Sequence, residues 1–170
     1  MATTPEQLYE EDFYAWTRNQ ARVLRRLAVT RPNAEIDFPH LIEIDFRHLI
    51  EEVADLGVSQ RDAARSQLRR IIEHCLKLEH SPAQPPRTGW HETIIDARTT
   101  LEDRLTRTLH RGLRRELPKL YGQARRNVEE SLRLFGEDQA ADVLPESCPY
   151  ALGDLLRHGW YPISRHGLKP

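Results

Sequence analysis

Apolar residues recur along this chain at spacings of three and four. In the first stretch they fall at Tyr9, Phe13, Trp16, Val23, Leu24 and Leu27, the repeat of one helical face. Thr4, Pro5 and Gln7 supply an N-cap, a first-turn proline and a capping-box partner. The pattern therefore predicts a first helix from Pro5 to about Ala28, ended by Thr30-Arg31-Pro32-Asn33. A second stripe, Phe46, Leu49, Ile50, Val53 and Leu56, leads to Gly57, which reads as a C-cap. Ser59 reads as the cap of a third helix, from about Gln60 to Leu78, carrying Ala64, Leu68, Ile71, Ile72, Cys75, Leu76 and Leu78. The short Gly57-Val58-Ser59 link predicts that these two helices form an antiparallel hairpin.

A Pro-rich loop over residues 81–89 separates them from a fourth helix, Trp90 to Leu109, with Ile94, Ala97, Leu101 and Leu105 facing inward. Gly112 and Pro118 bracket a joint, and Pro118 belongs in the first turn of a fifth helix or kinks it. That helix carries Leu120, Tyr121, Ala124, Val128 and Leu132 and closes at Gly136. Ser147 or Cys148 caps a short sixth helix from Pro149, Gly159 stops it, and a tail beginning Trp160-Tyr161-Pro162 packs back on the body. No strand-like alternation occurs. The expected fold is all-α: a helical bundle of about five main helices plus a short C-terminal helix, a single domain over residues 1–170.

Between the first two stripes lies a tandem duplication. Ile36-Asp37-Phe38-Pro39-His40-Leu41-Ile42-Glu43 is followed by Ile44-Asp45-Phe46-Arg47-His48-Leu49-Ile50-Glu51, differing only at Pro39 and Arg47. Eight residues are too few for a repeat-protein unit. The duplication offers two N-caps for the second helix, Asp37 and Asp45.

Composition narrows the function classes. The 170-residue, 19.8 kDa chain is 39% hydrophobic and 30% charged, with a mean hydropathy of -0.66. It has the size of one domain, and its apolar residues must be concentrated on faces to make a core. No apolar run approaches the roughly 20 residues that span a bilayer, and the N-terminus lacks the form of a secretory signal. We therefore expect a cytoplasmic protein without a membrane span. Lys+Arg number 25 against 26 Asp+Glu, which lacks the positive excess of a nucleic-acid binder. All the basic residues except Lys77, Lys119 and Lys169 are Arg, as a G+C-rich genome would give. Cys75 and Cys148 make no disulfide framework, and a reducing, bacterial-type cytoplasm suits them.

Several strings, in order, match a known family. They are Tyr9 through Phe13 with Trp16; Asp45 with Leu49-Ile50-Glu51-Glu52; His74-Cys75-Leu76-Lys77; Trp90 with Arg98; Leu113 with Tyr121 and Ala124-Arg125; and Leu144-Pro145 with Cys148-Pro149-Tyr150. Over residues 8–162 the chain resembles the bacterial domain-of-unknown-function 29 family. The resemblance implies a helical-bundle fold and no established activity. The octapeptide duplication departs from the family pattern. So does Arg111-Gly112, where the family has a Ser/Pro-type turn.

Three groups could carry chemistry. Asp45, His48 and Glu52 share one helical edge, and Arg70, His74 and Lys77 share another. The expected hairpin would bring them together as an ion-pair network, a His–carboxylate acid/base pair or a weak metal site built on His48, Glu52 and His74. No HExxH, CxxC or Glu-x-x-His pair supports the metal, and the ion-pair network is the preferred reading. Arg104, Arg107, Arg111 and Arg114 could bind an anionic partner, although pairing with nearby carboxylates explains them as well. Cys148, at a helix start and near His158 or His166 in sequence, could be an activated thiol, but no third, orienting group can be named. Trp16, Trp90 and Trp160, with Tyr9, Phe13 and Tyr14, read as core anchors before they read as a pocket.

No complete catalytic set emerges, and no cofactor is expected. The leading reading is a non-enzymatic helical interaction or regulatory module, for which a homodimer would bury leftover apolar surface. The alternatives are a small metal- or ligand-binding helical enzyme using the helix-two/helix-three edge, and a binder of an acidic partner or nucleic acid through the Arg face.

Overall fold

The computed structural model describes residues 4–30 and 46–168. The described residues form helices and connecting segments, with no strand: α1 (Pro5–Glu11), α2 (Phe13–Thr30), α3 (Phe46–His80), α4 (Arg87–Glu102), α5 (Arg107–Leu134), α6 (Asp138–Asp142) and α7 (Leu152–Leu156). The all-α expectation holds, with different boundaries. The chain divides into two compact units, Met1–Asp62 with Thr106–Leu109, and Ala63–Leu105 with His110–Pro170.

In the first unit, the Thr4 capping box forms as read. The Thr4 hydroxyl accepts from the Gln7 amide at 3.2 Å, and the Thr4 amide donates to Gln7 Oε1 at 3.0 Å. The expected single first helix breaks at Asp12, whose φ of -149° leaves the helical region. Its carboxylate then caps α2, accepting from the Ala15 amide at 3.0 Å. Asp is a poor interior residue and a good cap, so one broken turn gains a satisfied helix start.

The expected hairpin does not form. Gly57 and Ser59 lie inside α3, a single helix from Phe46 to His80. Gly57 is buried, and a Cβ placed on it would collide with Thr17 Oγ1 and lie 3.3 Å from Thr17 Cβ. The glycine is there for the close passage of α2 against α3, not for a turn. An interior glycine costs a helix about 1 kcal/mol relative to Ala, and the close packing offsets it. The alternative N-caps Asp37 and Asp45 fall outside the described residues.

The fourth and fifth helices also meet elsewhere than expected. α4 stops at Glu102 and α5 begins at Arg107, so Gly112 and Pro118 are inside α5. Two side chains fix this start. Thr106 Oγ1 accepts from the Leu109 amide at 3.3 Å, and Asp12 Oδ2 accepts from the Thr108 amide at 2.9 Å. At its far end α5 closes on Gly136 as read: φ is +76°, and the Glu137 amide reaches back to the Leu132 carbonyl at 2.8 Å.

The second unit holds the main core. Leu68, Ile71, Ile72, Cys75, Leu76 and Leu78 of α3 pack with Ile94, Ala97 and Leu101 of α4. Leu113, Leu120, Tyr121, Ala124, Val128 and Leu132 of α5 complete the wall. Burying a leucine-sized side chain contributes about 1.5–3 kcal/mol, so this apolar cluster is the unit's main source of stability. Ala140 and Ala141 of α6 and Leu152 and Leu155 of α7 close it. The Tyr121 hydroxyl donates to the Pro145 carbonyl at 2.6 Å, fixing the segment between these two short helices. The last helix begins at Leu152, not Pro149.

Candidate functional site

The six residues of the expected polar cluster lie along one helix or outside the description. Asp45 is outside the described residues. His48 and Glu52 sit near the start of α3, and Arg70, His74 and Lys77 near its end. A helix advances about 1.5 Å per residue, so the two groups cannot fold back on each other. The shared site required a hairpin that the continuous helix replaces. His74 has a perturbed charge state. Burial, then the like charges of Lys77 and Arg70, pull its pKa down to about 4, which keeps the ring neutral. Among the described residues, no group of three or more His, Cys, Asp or Glu is placed to hold a metal ion.

Arg104 lies in the turn after α4, while Arg107, Arg111 and Arg114 follow each other on α5 at helical spacing, all exposed. Further along α5, Arg125 pairs with Glu129 at 3.4 Å, and Arg133 reaches Glu129 at 3.3 Å and Asp142 at 2.7 Å.

Cys148 is not at a helix start, because α7 begins four residues later. Burial raises the pKa of its thiol, the opposite of activation. Burial likewise pushes Cys75 up to about 12. His158 instead meets Glu102 at 3.1 Å, and His166 Nε2 donates to the His80 carbonyl at 2.8 Å. The first-helix aromatics pack on one another: Trp16 stacks on Phe13 with centroids 5.6 Å apart and meets Tyr9 edge-on at 4.9 Å.

Two polar constellations in the second unit were not singled out from the sequence. The first is centred on Glu79. The Tyr150 hydroxyl donates to Glu79 Oε2 at 2.7 Å, and Arg165 Nε donates to Oε1 at 3.3 Å. The Arg165 amide also donates to the Glu79 carbonyl at 2.9 Å. Burial first, and the Glu79 charge second, raise the Tyr150 phenol far above its ordinary pKa. Buried His80 beside it is held below the usual histidine value by desolvation, against the pull of Glu79. These bonds fasten the C-terminal segment to the end of α3, the tail packing that the sequence led us to expect.

The second constellation is centred on Arg98 of α4, which is 2% exposed. Its Nε donates to the Leu155 carbonyl at 2.8 Å, and its guanidinium carbon sits 5.3 Å from the centroid of the Tyr161 ring. Nη1 and Nη2 are buried with no hydrogen-bond partner. Arg98 lines a cavity of about 230 Å³ with Leu101, Glu102, Leu105 and Leu156. A larger cleft of about 380 Å³ lies between Leu78, Arg87, His91 and the tail residues Tyr161 to Ser164. The sequence did carry a signal for Arg98. Ile94, Ala97, Arg98 and Leu101 follow the i, i+3, i+4, i+7 pattern of a buried face, and a charge on that face asks for a partner.

Comparison with known proteins agrees with this architecture. The family model described as "Domain of unknown function DUF29" matches residues 8–161. A crystal structure of an alpha-helical protein of unknown function from Rhodospirillum rubrum is similar to the chain, with a TM-score of 0.73 and 24% identity. The match covers 89% of this chain and 90% of that one. At that identity the likeness speaks for the fold alone. No protein with a curated description matches.

Proposed function

We propose that this chain, which belongs to the family Domain of unknown function DUF29, is a helical interaction module that pairs with a second copy of itself through its first unit. The observation that carries the reading is an inverted distribution of side-chain sizes. In α2 and the first half of α3, the buried residues are the small ones, Thr17, Ala21 and Gly57. Several large apolar ones stay in water: Val23 and Leu27 on α2 and Leu49, Leu56 and Val58 on α3 are each 40–52% exposed, while Phe13, Trp16, Leu24, Ile50 and Val53 are half-buried.

Val23 and Leu27 are four residues apart, and Leu49 and Leu56 seven, so each pair forms a stripe on its helix. Two amphipathic helices with uncovered stripes are half of a four-helix bundle, and a second copy supplies the other half. Two-fold dimers are the commonest assembly, and a formal net charge of -1 opposes self-association weakly. Two unpaired cysteines suit a reducing bacterial cytoplasm as its setting.

The test is a Leu27→Glu/Leu56→Glu variant compared with wild type by sedimentation velocity and circular dichroism. The reading expects the wild type to sediment as a dimer and the variant as a folded monomer of unchanged helicity. A wild type that stays monomeric at high concentration, or a variant that dimerises equally well, would overturn it.

A further inference from the structure

The charges of α5 are arranged against the stability of the helix. Between Arg107 and Val128 its one carboxylate is Glu116. Arg111, Arg114, Arg115, Lys119 and Arg126 follow at spacings of three, four and seven, so they share one face, and all are exposed. The Arg126 guanidinium folds back along that face: a Cβ on Gly122 would lie 3.9 Å from Arg126 Nη1. Like charges three and four residues apart destabilise a helix. The first turn of α5 has no acidic residue to offset its positive end.

Local pairing does not relieve these cations. Glu116 is taken by Arg65 of α3 at 2.9 Å, and Glu129 by Arg125 at 3.4 Å and Arg133 at 3.3 Å. Among the described residues, Arg111, Arg114, Arg115, Lys119 and Arg126 enter no ion pair. Cations held together without counter-charges attract an anionic partner.

The surroundings narrow the kind of partner. From Arg111 to Arg126 the face runs about 22 Å along the helix. Exposed carboxylates bound it in the sequence, Glu102 and Asp103 before α5 and Glu130 near its end. A long, uniform polyanion such as duplex nucleic acid would meet those carboxylates, and a short acidic element would not. Between the cations stand Pro118 and Gly122, which offer a bilayer no large apolar group. The apolar side of the helix, with Leu113, Leu120 and Tyr121, is spent in the core. Four of the five cations are arginines, whose fork matches the two oxygens of a carboxylate.

We propose that this face of α5 docks an acidic helical segment of a partner protein, its carboxylates at the same three- and four-residue spacing set against Arg111, Arg114, Arg115, Lys119 and Arg126. The proposal is independent of self-association through the first unit, because these five residues belong to the second.

Fluorescence anisotropy with the full chain tests it. The probe is a labelled, capped peptide of repeated Glu-Ala-Ala-Glu-Ala-Ala-Ala heptads, and the same peptide with Gln for Glu is the neutral control. The acidic peptide is expected to bind, more weakly as salt rises, and the neutral one not to bind. Arg111→Gln/Arg115→Gln/Lys119→Gln should weaken binding by about tenfold or more with unchanged helicity, since all three side chains are exposed. Arg69→Gln/Arg133→Gln/Arg157→Gln lowers the net charge equally at cations already paired with carboxylates, and should weaken it far less. Competition with duplex DNA and with phosphatidylserine vesicles, and the sedimenting mass of the first variant, separate the other occupants. Absent peptide binding at low salt, equal losses in the two triple variants, tighter binding of DNA or vesicles than of the peptide, or a changed oligomeric mass in the first variant would each overturn the proposal.

Discussion

Gly57 of α3 and Thr17 of α2 approach so closely that no side chain fits between them. A Cβ on Gly57 would collide with Thr17 Oγ1 and lie 3.4 Å from the Tyr14 ring. The Thr17 hydroxyl is itself held by the Tyr14 carbonyl at 2.9 Å, so it cannot swing away without losing that bond. Gly57→Ala should gain about 1 kcal/mol of helix propensity and lose about 1–3 kcal/mol to overpacking, a net destabilisation. Adding Thr17→Ala removes the colliding oxygen and should restore part of the loss. Urea unfolding of the two single variants and the double variant measures the coupling. Additive effects would show that the two residues do not touch.

Asp12 joins two helix starts. One oxygen takes the Ala15 amide of α2 and the other the Thr108 amide of α5. Burial pushes its pKa up, but these bonds, with those from the Thr108 and Thr106 side chains, outweigh it and hold the carboxyl below its ordinary value. A carboxyl whose pKa falls on folding adds stability above its unfolded pKa. That stability is lost as pH drops through the lower, folded value. Asp12→Ala should therefore cost about 1–3 kcal/mol at neutral pH, in keeping with the loss of two caps. The deficit should shrink as acid protonates the wild-type side chain. Denaturant midpoints of both proteins at pH 7 and pH 3 check this, and an equal deficit at the two pH values would refute it.

His74 titrates in the opposite setting. Its pKa is pulled down to about 4 by burial and by Lys77 and Arg70, whereas an unfolded histidine titrates near 6.5. The unfolded chain thus binds more protons between these values, and the wild-type protein loses stability as pH falls from about 6.5 towards 4. His74→Gln should flatten that part of the stability curve. Ring proton shifts followed by NMR should leave His74 neutral at pH 5.5. A midpoint near 6.5 for this ring would contradict the account.

The Tyr150 hydroxyl and Arg165 share the Glu79 carboxylate. Tyr150→Phe removes a hydrogen bond to a charged group, worth about 1.5–3 kcal/mol. It should also release the C-terminal segment, visible as faster proteolysis after Arg165. Unchanged cleavage in a destabilised variant would place the tail's anchor elsewhere.

These residues also show what a sequence can and cannot disclose. The Thr4–Gln7 capping box and the Gly136 closure were legible because each is a local pattern with one physical meaning. The leucine stripes of α3, α4 and α5 gave the all-α fold for the same reason. Gly57 was misread because a glycine at the end of a stripe signals a turn and a close helix crossing alike, and only the position of Thr17 separates them. Asp12 looked like one more polar residue between apolar ones, since its second partner, Thr108, is 96 positions away. Arg98 stands on a buried face with Ile94, Ala97 and Leu101, but its acceptor, the Leu155 carbonyl, is 57 positions away and leaves no local pattern. The proposed polar edge of helices two and three rested on the turn at Gly57 and failed with it.

The sedimentation-equilibrium mass of the wild-type chain, measured over a range of concentrations at neutral pH, tests the central claim most directly. If the exposed stripes of α2 and α3 are a self-association surface, the mass should approach twice 19.8 kDa as concentration rises. A mass that holds at one chain throughout would contradict it.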